Sequence, residues 1–438
     1  MRALVLLTSL SLLLGFVLLS ESQTPSDSPQ TPDAAVERPN ILIIMTDDQR
    51  ASQDGLAVMN ETHRIFGRKG TRFTNAVATT PLCCPSRTSI FSGRYAHNTG
   101  VVRQNPAGFD QSTTLQYHLQ RGGYTTALTG KYLNNFEEKP PHFDYVAQGL
   151  GYFNKEGEHS RYYNKRGLYS TDYIRAKALE YLDRFEQADS DPWLMYVHPT
   201  APHLPARPEP KYANALVPPW DMNPARSESD RSDKPPHVRE VESRVGESAA
   251  IRERQIRTLY SVDDMISDVF ARLDALGEDD NTIAFFLSDN GFMWREHNLS
   301  LKNYAYDDAV RIPFFMRWPG HVEQGAVDDR IVANIDIAPT IYDIIDRTPN
   351  HTMDGRSLFT SDRSEILTEA KGHGMPFKAL WNPEWMYAEY KNGFREYYGP
   401  DDPWQLDNGF KTGDPPANAA ELAARLHSAA TCAGTTCP

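Results

Sequence analysis

Carboxylate and amide side chains follow two separate apolar runs of the chain. Asp47 and Asp48 come directly after one run, and Asp289 and Asn290 come directly after another. Three carboxylates and one amide oxygen suit a hard divalent cation, Ca²⁺ or Mg²⁺, and the set lacks the sulfur or imidazole that would favour zinc. Either pair alone is an ordinary acidic turn. Taken together, the four residues predict a cation site.

Two adjacent cysteines, Cys83 and Cys84, form the second candidate. Pro85 is typical of a first helical turn, so Cys83 is expected just before a helix N-terminus, where the dipole and free N–H groups favour an anion. A disulfide between neighbouring residues is strained, and pairing with the distant C-terminal cysteines would need tertiary contacts. A buried structural cysteine is the plain alternative, but this setting favours chemistry at Cys83.

Basic and imidazole side chains follow further apolar runs. Lys131 follows one of them, and His198 and His203 follow the next. His203 can exchange protons near neutral pH, which suits protonation of a leaving group. His198 is expected to satisfy a hydrogen bond at a strand end, and His97 either caps local backbone or reaches the pocket.

Residues 83–87 resemble the sulfatase signature Cys-x-Pro-Ser-Arg, because they read Cys83-Cys84-Pro85-Ser86-Arg87. In that family a formylglycine-generating enzyme oxidises the first cysteine to Cα-formylglycine during export. The resemblance assigns this modification to Cys83 and places Cys84 at the variable position. It implies that a hydrated aldehyde offers two hydroxyls on one carbon, one to attack sulfur and one to lose its proton when sulfate is expelled.

Other segments between residues 38 and 345 resemble the same family. Residues 123–131 resemble the second signature, residues 201–203 resemble the histidine loop, and Asp289-Asn290-Gly291 with Lys302 resembles the second metal segment and its lysine. The catalytic residues implied by the resemblance are Cys83, Arg87, Lys131, His203 and Lys302. One calcium ion is implied, with the ligands Asp47, Asp48, Asp289, Asn290 and Cys83. The cation and the basic side chains would spread the charge of the transferring sulfuryl group.

The amino-acid sequences of these motifs are most similar to those of N-acetylglucosamine-6-sulfatases. Many arylsulfatases carry a histidine two residues after the lysine of the second signature, where this chain has Leu133. The glucosamine-6-sulfatase subgroup shares this replacement. The resemblance therefore leaves proton transfer mainly to His203, with His297 as a second candidate.

Apolar runs and helical periodicity alternate along the chain. The runs predict buried strands at residues 40–45, 124–128, 193–197 and 282–287, and a helix is predicted at 260–276. This alternation predicts a mostly parallel α/β sheet, in which ligands bind at the carboxyl ends of the strands. The resemblance implies the alkaline-phosphatase-like fold, with the sheet sandwiched between helices.

Four segments divide the chain. Residues 1–22 combine a basic residue, an apolar run and small residues, which predicts a signal peptide; the run is short for the alternative, a membrane anchor. Residues 23–37 are rich in Pro, Ser and Asp and predict a disordered linker. A catalytic domain is predicted at 38–345, and a small C-terminal α+β subdomain at 346–438.

Three local features complete the prediction. Residues 385–390 and 394–398 predict a hairpin in the C-terminal subdomain. Residues 205–254 are highly polar and predict an excursion over the surface, which either rims the pocket or has no role. In an exported protein, Cys432 and Cys437 predict a local disulfide loop.

Composition limits the classes of partner. The 438 residues include 45 Lys and Arg against 58 Asp and Glu, a net charge of −13, and 40% are hydrophobic, which excludes a fully disordered chain. Without a long basic run, neither nucleic acid nor an anionic membrane is expected as the main partner. An anionic substrate must therefore meet a local positive site.

These observations together predict a secreted, calcium-dependent sulfatase with no stable membrane insertion. Its expected substrates are sulfated carbohydrates, such as N-acetylglucosamine 6-sulfate, or aryl sulfates. One alternative is a phosphoesterase or phosphonate hydrolase on the same fold, which turnover of phosphate esters would reveal. The other is a non-catalytic calcium-bound protein that binds sulfated glycans. An intact thiol at Cys83 in the exported protein would favour this alternative.

Overall fold

The computed structural model describes residues 38–136, 138–148, 162, 167–187, 191–220, 223–241, 245–371 and 375–438. The predicted signal peptide at 1–22 and linker at 23–37 lie outside the described residues. Among the residues described, no helix combines the length and the apolar character needed to cross a membrane.

An eight-stranded sheet forms the centre of the fold. Its strands are β1 Asn40–Thr46, β2 Thr71–Val77, β3 Thr125–Gly130, β4 Tyr145–Ala147, β5 Trp193–His198, β6 Thr282–Ser288, β9 Phe314–Arg317 and β10 Ala326–Ala333. A separate two-stranded ribbon pairs β7 Met293–Trp294 with β8 Ser300–Leu301. The strand order is β10-β2-β9-β6-β1-β5-β3-β4, and only β9 runs antiparallel to its neighbours. The predicted mostly parallel sheet is confirmed.

Strand β1 lies in the middle of this sheet, between β5 and β6. Its apolar residues are fully buried because both faces of the sheet are covered. Ile41, Ile43 and Met45 pack into one apolar core, and Leu42 and Ile44 pack into the core on the opposite face. This alternation follows from the two-residue period of a strand.

Helices cover both faces of the sheet, as predicted. The longer ones are α1 Cys83–Ser92, α2 Leu115–Arg121, α3 Ser170–Glu186, α4 Val245–Leu276, α5 Ile337–Ile344 and α6 Ala419–Ala429. Apolar residues of α1, α2 and α5 belong to one core, and those of α3 and α4 belong to the other. Single-turn helices lie at Gln53–Leu56, Asn60–Thr62, Ala96–Thr99, Pro236–Arg239, Asp307–Val310 and Gly409–Thr412.

A four-stranded antiparallel sheet follows the main sheet. It contains β11 Ile366–Ala370, β12 Phe377–Trp381, β13 Met386–Tyr390 and β14 Arg395–Tyr398, and α6 packs into the same apolar cluster. The predicted hairpin is confirmed as β13 and β14, joined through Gly393 at a positive φ of 82°. The predicted disulfide is also confirmed, because Cys432 and Cys437 are bonded.

The predicted start of the long helix was wrong. Helix α4 begins at Val245, so the last part of the segment predicted as a polar excursion, 205–254, is helical. The first turns of α4 are mostly polar, and Ile251 and Ile256 turn apolar side chains to the core there. Apolar periodicity is too sparse at that end of the helix to reveal it in the sequence.

Candidate active site

The ends of β1 and β6 bring the predicted acidic residues together. These strands pair in parallel with Thr46 opposite Ser288, so the residues that follow them emerge side by side. Asp47, Asp48 and Asp289 are all buried, and the backbone N–H of Asp48 donates to Asp289 Oδ1 at 3.1 Å.

Helix α1 presents its first residue, Cys83, to these carboxylates. The distance from Cys83 Sγ is 3.3 Å to Asp47 Oδ1 and 3.9 Å to Asp48 Oδ1. The hydroxyl of Ser86 donates to the backbone carbonyl of Asp289, which fixes the first turn of α1 against the end of β6. Cys83 is thus at a helix N-terminus, as predicted, although it lies within the first turn rather than before it.

Arg87 lies one turn further along α1 and is fully buried. Its Nε donates to Asp289 Oδ2 at 2.8 Å, and its Nη1 donates to the backbone carbonyl of Lys131 at 2.9 Å. Its Nη2 has no hydrogen-bond partner within the described ranges. A buried guanidinium with a spare donor can receive an oxygen of an anionic ligand.

Lys131 enters the site from the end of β3. Its Nζ donates to Asp47 Oδ2 at 2.6 Å. The residue before it, Gly130, has a φ of 101°, and a Cβ there would lie 2.0 Å from the carbonyl oxygen of His198. Only glycine permits the chain to turn this closely against β5 and to direct Lys131 inward.

Lys302 enters from the loop that follows the short β7–β8 ribbon. Its Nζ is 2.7 Å from Cys83 Sγ and donates to the carboxylate of Asp48. The non-glycine residues with positive φ in the segment from β7 to this loop are Arg295, His297, Asn298, Leu301 and Asn303. Buried Glu296, which pairs with Arg50 at 2.9 Å, helps to hold this unusual backbone.

His203 borders the site on the side of Asp48. Its Nε2 is 3.7 Å from Asp48 Oδ2, and its Nδ1 is 2.6 Å from the carbonyl oxygen of Leu204. Nδ1 therefore carries a proton, which leaves Nε2 to face the site. Burial lowers the pKa of His203, although the charges of Asp47 and Asp48 oppose that shift.

The other histidines have different partners. His198 Nδ1 bonds the carbonyl of Lys131 at 3.0 Å, which is the predicted strand-end contact. His97 does not reach the pocket: Nδ1 lies 2.8 Å from Glu369 Oε1 and Nε2 lies 3.0 Å from the carbonyl of Cys432. His297 Nδ1 is 2.8 Å from Glu228 Oε2.

Buried charges of both signs balance one another around Cys83. Burial alone would raise the pKa of Asp47, but Lys131 and His203 outweigh it and hold that pKa well below its usual range. Burial, followed by the charge of Asp47, raises the pKa of Asp289. Burial, followed by the charges of Asp289 and Asp47, raises the pKa of the Cys83 thiol. An unmodified Cys83 therefore stays protonated at neutral pH.

The carboxylate and amide oxygens of the site fit a hard cation. Asn290 Oδ1 is buried without a hydrogen-bond partner among the described residues, while its Nδ2 donates to Asp48 Oδ1 at 2.8 Å. Atoms of Asp47, Asp48, Cys83 and His203 that could ligate a metal all lie within 4.8 Å of one another. A calcium ion would satisfy the free amide oxygen and the crowded carboxylates. His203 was predicted in the same pocket as a proton-transfer residue and was not predicted as a ligand of the cation.

Sequence patterns did not reveal two contacts that support the site. Gln104 Oε1 accepts from the backbone N–H of Cys84 at 2.9 Å and so binds the first turn of α1. Glu228, from the polar excursion, accepts from His297 and ties that segment to the loop that carries Lys302. No sequence pattern around Gln104 or Glu228 predicts these contacts, because their partners are distant along the chain and come close only in the folded protein.

Comparison with known proteins identifies the family. A family model described as Sulfatase matches residues 39–346. The human N-acetylglucosamine-6-sulfatase is 28% identical, over 92% of this chain and 86% of that protein. An extracellular sulfatase SULF-1 homolog of Drosophila melanogaster is 32% identical, over 74% of this chain and 31% of that protein. A solved structure in complex with its substrate D-glucosamine-2-N,6-O-disulfate superposes with a TM-score of 0.76 at 23% identity, covering 89% of this chain and 97% of that one.

The sheet topology and the buried, charge-lined site define an α/β enzyme with the alkaline-phosphatase-like fold, as predicted. The chain belongs to the sulfatase family, and it is a sulfuric ester hydrolase.

Proposed function

We propose that this sulfatase hydrolyses sugar 6-sulfates, such as N-acetylglucosamine 6-sulfate, with formylglycine at position 83 and one bound calcium ion. The observation that carries the proposal is the setting of Cys83. Its Sγ lies at the start of a helix, 3.3 Å from Asp47 Oδ1 and 2.7 Å from Lys302 Nζ. A nucleophile formed from Cys83 would lie next to the basic group of Lys302, which can bind an anion, and next to the carboxylate of Asp47, which can bind a cation.

Asp47, Asp48, Asp289 and Asn290, with residue 83, would hold the calcium ion. The free amide oxygen of Asn290 and the oxygens of Asp47 and Asp48 support this assignment. A hydrated aldehyde at position 83 would supply a nucleophilic hydroxyl, and a bound calcium ion would supply positive charge to stabilise the sulfate group.

The basic side chains of this chain would bind and orient the sulfate group. Lys131, Arg87 and Lys302 converge from β3, α1 and the loop after β8, and they donate to Asp47, Asp289 and Asp48 respectively. They are fixed before substrate arrives, so little reorganisation is required as charge moves on the transferring group.

His203 would handle the proton of the leaving alcohol. Its Nδ1 is held by the carbonyl of Leu204, so Nε2 exchanges protons on the site side. In the neutral ring Nε2 is an acceptor, and the lowered pKa favours this form in the free site. Nε2 must therefore gain a proton before it can donate one, and Lys302 Nζ, beside Cys83, is a nearby second source.

The relatives support the substrate class and the compartment. The human relative is named for N-acetylglucosamine 6-sulfate, and the substrate in the solved complex carries a 6-O-sulfate. The fly relative is named as extracellular, which agrees with secretion of this chain after a formylglycine-generating enzyme has acted on it. Aryl sulfates would be accepted as activated substrates.

The proposal is tested by producing the protein with and without a formylglycine-generating enzyme. Peptide mass spectrometry should find the aldehyde at position 83 only in the first preparation. Only that preparation should release sulfate from N-acetylglucosamine 6-sulfate in a screen of defined sulfated mono- and disaccharides. Faster turnover of phosphate monoesters or phosphonates would overturn the substrate class, and an active enzyme with an intact Cys83 thiol would overturn the nucleophile.

A further inference from the structure

A cavity of about 630 Å³ lies outside the site described above. Its walls come from β12 and β13 of the antiparallel sheet, from α6, and from the segment at residues 102–103. None of the residues assigned to the nucleophile, the sulfate group or calcium lines it.

Four basic side chains surround this cavity: Arg103, Lys371, Lys378 and Lys391. In the described part of the chain, Arg103, Lys371 and Lys391 form no ion pair, and all three are exposed. The one carboxylate in the lining, Glu389, already accepts from Tyr387 Oη at 2.6 Å and pairs with His427 at 2.7 Å. The cavity therefore has a surplus of positive charge on a protein whose net charge is −13.

Lys378 is the least exposed of these four basic side chains. It is half-buried and its Nζ donates to the carbonyl of Ala430 at 3.2 Å. Burial lowers the pKa of Lys378; the charge of Glu369 opposes this shift, and the smaller effect of Lys371 adds to it. An anion bound in the cavity would interact favourably with the Lys378 ammonium group and with the exposed basic side chains around it.

The floor of the cavity is apolar. Phe377, Tyr390 and Leu426 line it and are buried by their packing against the antiparallel sheet. A floor of rings and methyl groups beneath a charged rim suits a ligand that has flat hydrophobic C–H faces and anionic substituents, and a charged sugar ring has both.

Two backbone contacts connect the cavity to the helix that begins with Cys83. Gln104, which follows Arg103, accepts from the backbone N–H of Cys84 at 2.9 Å. The N–H of Glu369, which precedes cavity residue Ala370, donates to the carbonyl of Thr79 at 2.9 Å. Two parts of the cavity lining are therefore adjacent to residues that contact the chain at and just before the start of α1.

We propose that this cavity is a second sugar-binding subsite, which binds an anionic residue of the same saccharide chain whose sulfate ester enters the site at Cys83. The inference rests on the proposed function for its substrate class, and it names an anionic oligosaccharide, rather than a monosaccharide, as the preferred substrate. The ligand group is a sulfate or a uronate carboxylate. Arg103, Lys378 and Lys391 supply the charge, and the floor at Phe377 supplies the apolar contact.

The test uses mature enzyme carrying both Arg103→Gln and Lys391→Gln, which are exposed and lie outside the catalytic machinery. The substrates are a 6-sulfated N-acetylglucosamine monosaccharide and a 6-sulfated tetrasaccharide containing uronate. For the tetrasaccharide the double variant should raise KM about 5- to 20-fold with kcat unchanged, and this effect should fade at about 1 M salt. The monosaccharide should be turned over as by the unaltered enzyme.

Lys69→Gln is the matched control, because Lys69 is also an exposed lysine but precedes β2 of the main sheet and does not line the cavity. Equal KM values for the tetrasaccharide in the double variant, the control and the unaltered enzyme would overturn the subsite. Comparing tetrasaccharides that carry only uronate or only additional sulfate identifies the anionic group.

A binding measurement separates this inference from the proposed function. Calorimetry with a uronate tetrasaccharide that lacks the 6-sulfate reports on the cavity without turnover. Weaker binding to the double variant would uphold the subsite even if the 6-sulfated sugar were not hydrolysed. Equal or undetectable binding to all three proteins, together with normal turnover of the monosaccharide, would overturn the subsite alone.

Discussion

Lys302 Nζ lies 2.7 Å from Cys83 Sγ, closer to the sulfur than either Asp47 or Asp48. The loop that carries Lys302 reaches this position through several residues with left-handed backbone. Such conformations are disfavoured for side chains other than glycine, and surrounding contacts must hold them. The contact therefore depends on a whole loop rather than on one flexible side chain.

Replacing Lys302 by Ala should lower kcat by about 100-fold or more, because it removes a fixed positive charge beside the reacting atoms. The measurement is kcat/KM on a sugar 6-sulfate, with circular dichroism to check the fold. Lys69→Ala, at an exposed site, should leave both values unchanged. Activity within about twofold of the unaltered enzyme would place Lys302 outside the reaction.

Cys83→Ala should abolish turnover, whereas Cys84→Ala should keep most of it. Cys84 packs in the apolar core, so its truncation should lower the free energy of unfolding by about 1–2 kcal/mol. Denaturant unfolding and sulfate release measure the two effects. An inactive Cys84→Ala protein with normal stability, or an aldehyde found at position 84, would contradict the assignment to Cys83.

Removing divalent ions should lower both activity and the melting temperature, and calcium should restore both. Asn290→Ala should need at least about tenfold more calcium for the same rise in melting temperature, because it loses an oxygen ligand. Asn75→Ala, on β2, is the control and should respond like the unaltered protein. Identical calcium titrations for all three proteins would show that Asn290 does not bind the ion.

His203→Ala should lower kcat/KM far more for substrates with poor leaving groups than for substrates with good ones. A sugar alcohol leaves as a strongly basic alkoxide unless it gains a proton, while nitrophenol leaves nearly unaided. We expect kcat/KM to fall about 100-fold or more on a sugar 6-sulfate and much less on nitrophenyl sulfate. Equal losses on both would assign His203 to sulfate binding and move the proton donor to Lys302.

The His97–Glu369 pair should make stability depend on pH. Burial opposes the shift, but the hydrogen bond to Glu369 prevails and raises the pKa of His97. A group with a raised folded pKa stabilises the fold fully below its unfolded pKa of about 6.5, and this contribution is lost as pH rises through the folded pKa.

His97→Gln should therefore lower the free energy of unfolding by about 1–2 kcal/mol at about pH 5.5 and by less at about pH 8. Chemical denaturation at the two pH values measures the difference. His427→Gln is the matched control, since His427 also pairs with a glutamate but is largely exposed. A loss that does not change with pH would mean that His97 is neutral in the folded protein.

Sequence patterns predicted the parts of the structure that local chemistry determines. The four buried strands are continuous apolar runs, and polar residues mark the points where β1, β3, β5 and β6 end. Parallel strands place these ends at one edge of the sheet, so the neighbourhood of Asp47, Lys131 and Asp289 was foreseeable. The place of Cys83 at the start of α1 followed from Pro85.

Other parts could not be predicted because they depend on distant contacts. The start of α4 is hidden because polar residues, among them Ser248, Arg252 and Gln255, occupy buried positions there and interrupt the apolar pattern. The partners of His97 lie on β11 and beside the disulfide, far along the chain, so no local pattern indicates them. The domain boundary near residue 345 and the assigned roles of the site residues stay predictions.

The complete burial of Cys83 has a consequence for the timing of biosynthesis. Under the proposed maturation, an enzyme must reach a side chain that is 0% exposed once the fold is complete, so it has to act earlier. Lys302 is made 219 positions after Cys83, which at about 5–20 residues per second leaves about 10–40 s before the pocket can close. Slower translation would lengthen this interval, and premature folding would leave a fraction of permanently inactive molecules.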